Sequence, residues 1–205
     1  VANMMQQFGR MKHYFIASAL VFITGMVLGA GFSSQFQTYI EAQMKGLEQL
    51  SQSIAGQPNP QWALFWLIFW NNTSKSILII GLGAFFGVLP LFFLLGNGLL
   101  LGYVMSASAQ KESLLYVIKA IVPHGIIEIP AIIFACAIGL RFGALVMKWI
   151  VSVISPARQV QIKEEFRAFL KILLPVVLIL VISLSAAALI ESTFTYWLVK
   201  PQSPK

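Results

Sequence analysis

Long apolar runs separated by short polar stretches set the layout of this chain. Tyr14 to Phe32 is apolar almost throughout, and its length matches the ~20 residues a helix needs to cross a bilayer. The period then changes in "SSQFQTYIEAQMKGLEQLSQSIAGQPNP". Phe36, Ile40, Leu47, Leu50 and Ile54 recur at helical intervals, and Gln37, Glu41, Lys45, Glu48 and Gln52 fill the other face. This predicts an amphipathic helix over 36–54, ended by Gly56, Pro58 and Pro60. Such a helix lies on the membrane surface or packs on a partner. In "QWALFWLIFWNN", Trp62, Trp66 and Trp70 stand at i, i+4 and i+8 and form one aromatic stripe, which reads as an interfacial belt. The apolar stretch from Trp62 to Trp70 is too short to span and reads as a half-helix that dips in and returns.

Residues 75 to 108 make an apolar block too long for one span. Pro90 and the Gly96-Asn97-Gly98 triplet divide it into a span over 75–95, a turn or unwound point at Asn97 and a short second helix over 97–110, before Lys111 and Glu112 mark water. The next span, 113–138, contains Pro123 and Pro130, each of which lacks a backbone N–H and disturbs the helix around it. Non-helical backbone at membrane depth survives only where protein or a wet cavity covers it, so this segment is expected inside the bundle. Over 141–155, Arg141, Lys148, Ser152 and Ser155 share a face, which predicts a second amphipathic helix. "PARQVQIKEEFRAFLK" is then a solvated connector, and 169–190 is the last span, with Pro175 inside it and Trp197 near the far interface. The predicted fold is an all-α, polytopic membrane bundle forming one domain over 1–205. It has five transmembrane helices with broken or half helices and amphipathic connectors, or six if the 139–155 helix also crosses.

Composition sharpens this picture. The chain is 58% hydrophobic and 10% charged, with a mean hydropathy of +0.82. Soluble domains carry about 25% charged residues, so this chain could not clothe its surface in water. The net charge of +7 is better read as basic residues flanking apolar spans than as a nucleic-acid surface, and no nucleic acid is expected as a partner. Arg10 and Lys12 precede the first span, and Arg141, Lys148, Arg158, Lys163, Arg167 and Lys171 crowd one later segment. Residues 33–72 hold Lys45 alone. Positive-inside counting therefore places the protein in the cell membrane with a cytoplasmic N-terminus and the Trp-rich loop outside, although five crossings leave Lys200 and Lys205 on the outer side. The first apolar run reads as a retained span, because it is longer than a signal-peptide core and lacks a small-x-small cleavage site. Cys136, the single cysteine, excludes an intramolecular disulfide.

The chemistry concentrates in "VPHGIIEIP", residues 122–130. His124 and Glu128 lie one helical turn apart on one face of an apolar segment. A charged carboxylate at mid-bilayer costs about 2.5–3.5 kcal/mol on insertion scales. His124, Lys119 or Arg141 could neutralise it, or it could be protonated. Three roles compete: a polar pair that pins helices together, a proton- or ion-handling site, and a surface gripping a partner's membrane segment. A histidine and a carboxylate leave a metal's coordination sphere short, so no metal or other cofactor is expected. Four GxxxG pairs (Gly25 and Gly29, Gly83 and Gly87, Gly98 and Gly102, Gly139 and Gly143) argue for close helix packing, for a homo-oligomer, or for both. Asn71 and Asn72 read as helix caps and Asn97 as a turn residue. Aspartate is absent, and no paired carboxylates, nucleophile triad or phosphate-cradling loop stands out, so the chain is not expected to be an enzyme.

"NN" at 71–72, "GLGAFFG" at 81–87, "NGLLLG" at 97–102 and "PHGIIEIPAIIFACAIGLRFG" at 123–143 together resemble the stage II sporulation protein M family. The resemblance covers nearly the whole chain and is firmest over 62–145. Positions marked in the family match at Asn71, Asn72, Asn97, Gly98, Gly102, His124, Gly125, Glu128, Gly139 and Gly143, and no catalytic assignment transfers with them. The family is associated in endospore formers with proteins D and P, which remodel peptidoglycan during engulfment, and it also occurs in organisms that do not sporulate. The resemblance implies a membrane scaffold or anchor that localises peptidoglycan hydrolases, without bond cleavage of its own. The alternative is a small transporter or channel built on His124 and Glu128, whose flux in proteoliposomes Glu128→Gln would remove.

Overall fold

The computed structural model describes residues 9, 11–55, 57–111, 114–153 and 156–195, with side chains placed throughout except at 47, 51, 55, 111, 114–124, 156–158 and 194–195. Among these residues there are helices and no strand. They are α1 (Lys12–Gly31), α2 (Gln37–Ala55), α3 (Pro60–Leu82), α4 (Val88–Lys111), α5 (Leu114–Ser152) and α6 (Pro156–Ile190). A 3₁₀ turn, Ser33–Phe36, joins α1 to α2, and a π turn, Glu191–Thr195, closes α6. Five helices among the described residues are long and apolar enough to cross a membrane: Lys12–Gly31, Pro60–Leu82, Val88–Gln110, Gly125–Ser152 and Gln159–Thr193. The protein is a helical membrane bundle.

The membership of those five helices differs from the predicted spans. The Trp-rich segment is the first half of α3, a single 23-residue helix with Pro60 in its first turn, where a missing N–H costs nothing. No half-helix forms there, because Asn71 and Asn72 do not stop the helix. The predicted 75–95 span is cut in two between Leu82 and Val88 by a turn over 83–87. In that turn Phe86 (φ 58°) and Gly87 (φ 77°) both adopt the left-handed conformation that reverses the chain. Asn97 is no break: α4 runs through it, with Pro90 in its first turns. The segments 113–138 and 141–155 merge, since α5 stays helical from Leu114 through Pro123, Pro130 and Gly139 to Ser152. Neighbouring helices and local adjustments re-satisfy the backbone groups that a proline frees in a membrane helix. At the other side of the loop α6 begins at Pro156, so most of the predicted solvated connector is its first turns.

Contacts along the helices fix their directions. Gly25 of α1 lies against Leu95 and Leu99 of α4, and Gly102 of α4 lies against Met26 of α1, so these two helices run parallel. Gly139 of α5 meets Ile79 and Ile80 of α3, and Gly143 meets Gly83 and Phe86, a second parallel pair. In α6, Phe166 and Phe169 face Phe142, and Phe166 also faces Trp149, so α5 and α6 are antiparallel. An alternating path through α1, α3, α4, α5 and α6 satisfies all three relations. Ala135, Cys136, Ile138, Val176, Leu180 and Leu184 are buried between α5 and α6 and their neighbours, while Phe22, Ile79, Ile80 and Leu94 extend the core from the other helices. Helix α2 stands apart. Its residues are mostly exposed, Ile40 is buried, and the Tyr39 phenol rests on Gly96 of α4.

Candidate functional site

Glu128 lies on the face of α5 that also carries Gly125, Ile132, Ala135 and Gly139, all buried. The i, i+3, i+4 spacing of these residues keeps one stripe of a long helix turned to the bundle interior. Glu128 is 9% exposed and is not without a partner. The His124 side chain lies outside the described residues, as does that of Lys119. Arg141, one of the candidate neutralising partners, lies on the same helix as Glu128 but does not reach it. At 1.5 Å per residue it stands about 20 Å along the axis from Glu128. Its guanidinium sits 5.6 Å from the centroid of the Phe169 ring of α6, where it is also only 9% exposed. Among the described residues no three His, Cys, Asp or Glu side chains gather where they could hold a metal.

The eight glycines of the four GxxxG pairs lie in two close backbone contacts, one between α1 and α4 and one between α5 and the end of α3 with the turn that follows it. A Cβ added at Gly25 would overlap the Leu95 carbonyl oxygen, and one at Gly98 the Phe22 carbonyl oxygen. Gly29 and Gly102 lie as close to Leu99 and Met26. In the other contact, Gly83 abuts the Gly139 backbone, and a Cβ at Gly143 would come within 2.6 Å of the Gly83 carbonyl oxygen. Gly87 faces Leu140. The 25/29 pair therefore packs against the 98/102 pair and the 139/143 pair against the segment around Gly83 and Gly87, all within this chain, and the small residues let backbones approach closely as they do in lipid.

The asparagines serve neither as caps nor as turn residues. Asn71 and Asn72 are inside α3, where the Asn71 amide donates to Asn72 Oδ1 at 3.3 Å and Ser74 Oγ donates to the Asn71 carbonyl at 3.3 Å. Asn97 is inside α4 and donates from Nδ2 to the Phe93 carbonyl at 2.8 Å, one turn back. Thr73 and Ser76, which the sequence pattern did not mark, are buried on the inner face of α3, as is Ser18 in α1. Their small volume suits close helix contact.

Trp62, Trp66 and Trp70 are 58%, 49% and 69% exposed along one side of α3. Trp62 and Trp66 meet edge to face at 5.9 Å, and Phe65 and Phe69 stack behind them at 5.8 Å. Trp62, Phe65, Trp66 and Phe69 thus pack on one another, and Trp70 extends the same side a turn further on.

At the opposite end of α3 and its neighbours lies a polar cleft of about 400 Å³. Tyr14, Arg141, Lys148, Gln161, Glu164 and Glu165 contribute to its wall. The start of α1, the end of α5 and the start of α6 therefore share one end of the bundle. The sequence pattern marks the charges of 141–171 as topology signals, Arg141 and Lys148 as one face of an amphipathic helix, and Arg141 as a neutraliser of Glu128, and it does not bring them to one cleft with Tyr14. Their convergence depends on α5 and α6 forming one long hairpin, which the proline and charge pattern obscured.

The sequence pattern of the family described as stage II sporulation protein M matches residues 18–196. An uncharacterised protein of Methanocaldococcus jannaschii is 27% identical over 134 residues, which is 65% of this chain and 57% of that protein. The chain thus spans little more than half the length of that relative. No solved structure matches it. The matched region takes in four of the five span-length helices and most of the first, both glycine contacts, Glu128 and the tryptophan stripe, and on that coverage the chain belongs to the stage II sporulation protein M family.

Proposed function

We propose that the protein is a membrane scaffold that localises peptidoglycan-remodelling partners, hydrolases resembling stage II sporulation proteins D and P, as in engulfment. It cleaves no bond itself. The observation that carries this reading is the exposed tryptophan stripe on α3, set beside the mostly exposed α2. Aromatic residues supply large contact area at little entropic cost, which suits them to partner surfaces. The four glycine pairs are engaged in contacts within the chain, so a partner or a second copy of the chain would use the α2–α3 side. The basic residues at the cleft end support a cytoplasmic position for that end and for the N-terminus, which leaves the tryptophan end of α3 outside, where peptidoglycan is.

Replacing Trp62, Trp66 and Trp70 together with Leu keeps the helix apolar and removes the rings. The triple variant is expected to insert normally and to lose co-purification of the hydrolase partner, while His124→Ala lowers thermal stability and retains the partner. Undiminished co-purification by the triple variant would overturn the proposal.

A further inference from the structure

The polar cleft is unlike the rest of this lipid-facing molecule. Its back wall is α5, and α1 and α6 pack on α5 from either side. Two cations, Arg141 and Lys148, face two carboxylates, Glu164 and Glu165, so the lining is charge-balanced. Arg141 is held under the cleft by the Phe169 ring. Lys148 Nζ pairs with Glu165 Oε2 at 3.1 Å, with both side chains partly in solvent. Such an exposed pair holds weakly and can exchange its partners for a ligand's. A volume of about 400 Å³ is within the range of small-molecule sites.

The depth of the cleft indicates the ligand. Trp149, next to Lys148, is 54% exposed and stacks edge-on to Phe166, and Ile150, Val151 and Val153 beyond it are exposed as well. Exposed tryptophan with lysine at the end of a membrane helix marks headgroup level. The outer faces of the two flanking helices carry exposed Ile16 and Leu20 on α1 and Leu170 and Leu174 on α6, which would lie along acyl chains. A simple anion would meet two carboxylates in this cleft, and a simple cation would meet Arg141 and Lys148. A group carrying both charges complements the cations and the carboxylates together.

We propose that this cleft binds a phospholipid headgroup that combines a phosphate with a primary ammonium, the phosphate toward Arg141 and Lys148 and the ammonium toward Glu164 and Glu165. An ethanolamine phospholipid has this chemistry. A choline lipid keeps the charges but has no N–H to donate to the carboxylates, and a glycerol lipid has no cation. The same headgroup chemistry exists free in water as glycerophosphoethanolamine, and the acyl-contacting faces beside the cleft assign the site to the lipid.

The test is native mass spectrometry of the full chain released from detergent with acyl-matched lipids. Ethanolamine lipid is expected to bind about tenfold more tightly than choline or glycerol lipid, the worth of one charge-assisted hydrogen bond. Glu164→Gln with Glu165→Gln should erase the preference over choline lipid and raise glycerol-lipid binding, and Lys148→Gln should weaken all three. These positions are at least partly exposed; should the double variant fail to fold, Glu164→Gln alone carries the same expectation. Equal binding of glycerol and ethanolamine lipids by the unmodified chain, or an unchanged preference in the glutamine variants, would overturn the assignment. So would full displacement of the lipid by glycerophosphoethanolamine.

Discussion

At the scale of single residues, the glycines separate into two kinds. Gly98 has no room for a methyl group, because the Phe22 carbonyl of α1 occupies the place of its Cβ. Gly46, inside α2, has nothing within 4 Å of that place. Gly98→Ala is expected to destabilise the protein by about 1–3 kcal/mol through overpacking. Gly46→Ala should stabilise α2 by about 0.5–1 kcal/mol, because glycine in a helix interior carries the larger entropic cost. Thermal unfolding in detergent measures both. A loss at Gly46 or a gain at Gly98 would contradict the packing described. Polar residues are less legible than glycines. Glycine spacing is visible in a sequence because a close backbone approach demands glycine itself. The asparagine roles were not visible: an asparagine can cap a helix, form a turn or bond back one turn, and Asn97 does the last. Glu128 was legible as a buried carboxylate, because an apolar helix with an inward stripe has nowhere else to place it. Its neighbours were less legible, since Arg141, a proposed partner on the same helix, faces Phe169 instead.

At the scale of elements, helix interiors were easier to read than their ends. The apolar run of α1 and the amphipathic period of α2 correspond to observed helices with ends shifted by a residue or two. The α3–α4 boundary falls at the glycine-bounded turn 83–87 and not at Pro90 or Asn97, where the sequence pattern predicts it. Pro90 fits the first turns of α4, where no donor is missed, and the reversal falls on Gly87 and, less expectedly, on Phe86. A left-handed phenylalanine costs about 1–2 kcal/mol relative to a residue free of the Cβ clash. Its ring is exposed, so little packing is lost on removing it. Phe86→Gly should therefore raise the unfolding midpoint by a few degrees, at about 2–4 °C per kcal/mol for a chain of this size. A lowered midpoint would mean that the ring anchors the turn in the bilayer. The merging of 113–138 with 141–155 has a similar cause. The aromatic ladder of Trp149, Phe166, Phe142 and Phe169 ties the end of α5 to the start of α6, and only the folded pair reveals it.

At the scale of the whole molecule, five alternating helices bring the starts of α1 and α6 and the end of α5 to one end, and put the tryptophan half of α3 toward the other. With Cys136→Ser as background, a cysteine at Gln52 in α2 should react with a membrane-impermeant maleimide in intact cells. One at Lys163 should react only after permeabilisation. The reverse pattern would invert the proposed orientation. The central claim is that the uncovered aromatic side of α3 meets the partner. Site-specific photo-crosslinking in the native membrane tests it most directly, with a benzoylphenylalanine at Trp66 and, for comparison, one at the exposed Leu178 on α6. The expected result is a crosslink from position 66 to a peptidoglycan hydrolase and none from position 178. Hydrolase crosslinks of equal yield from both positions, or none from position 66, would contradict the account.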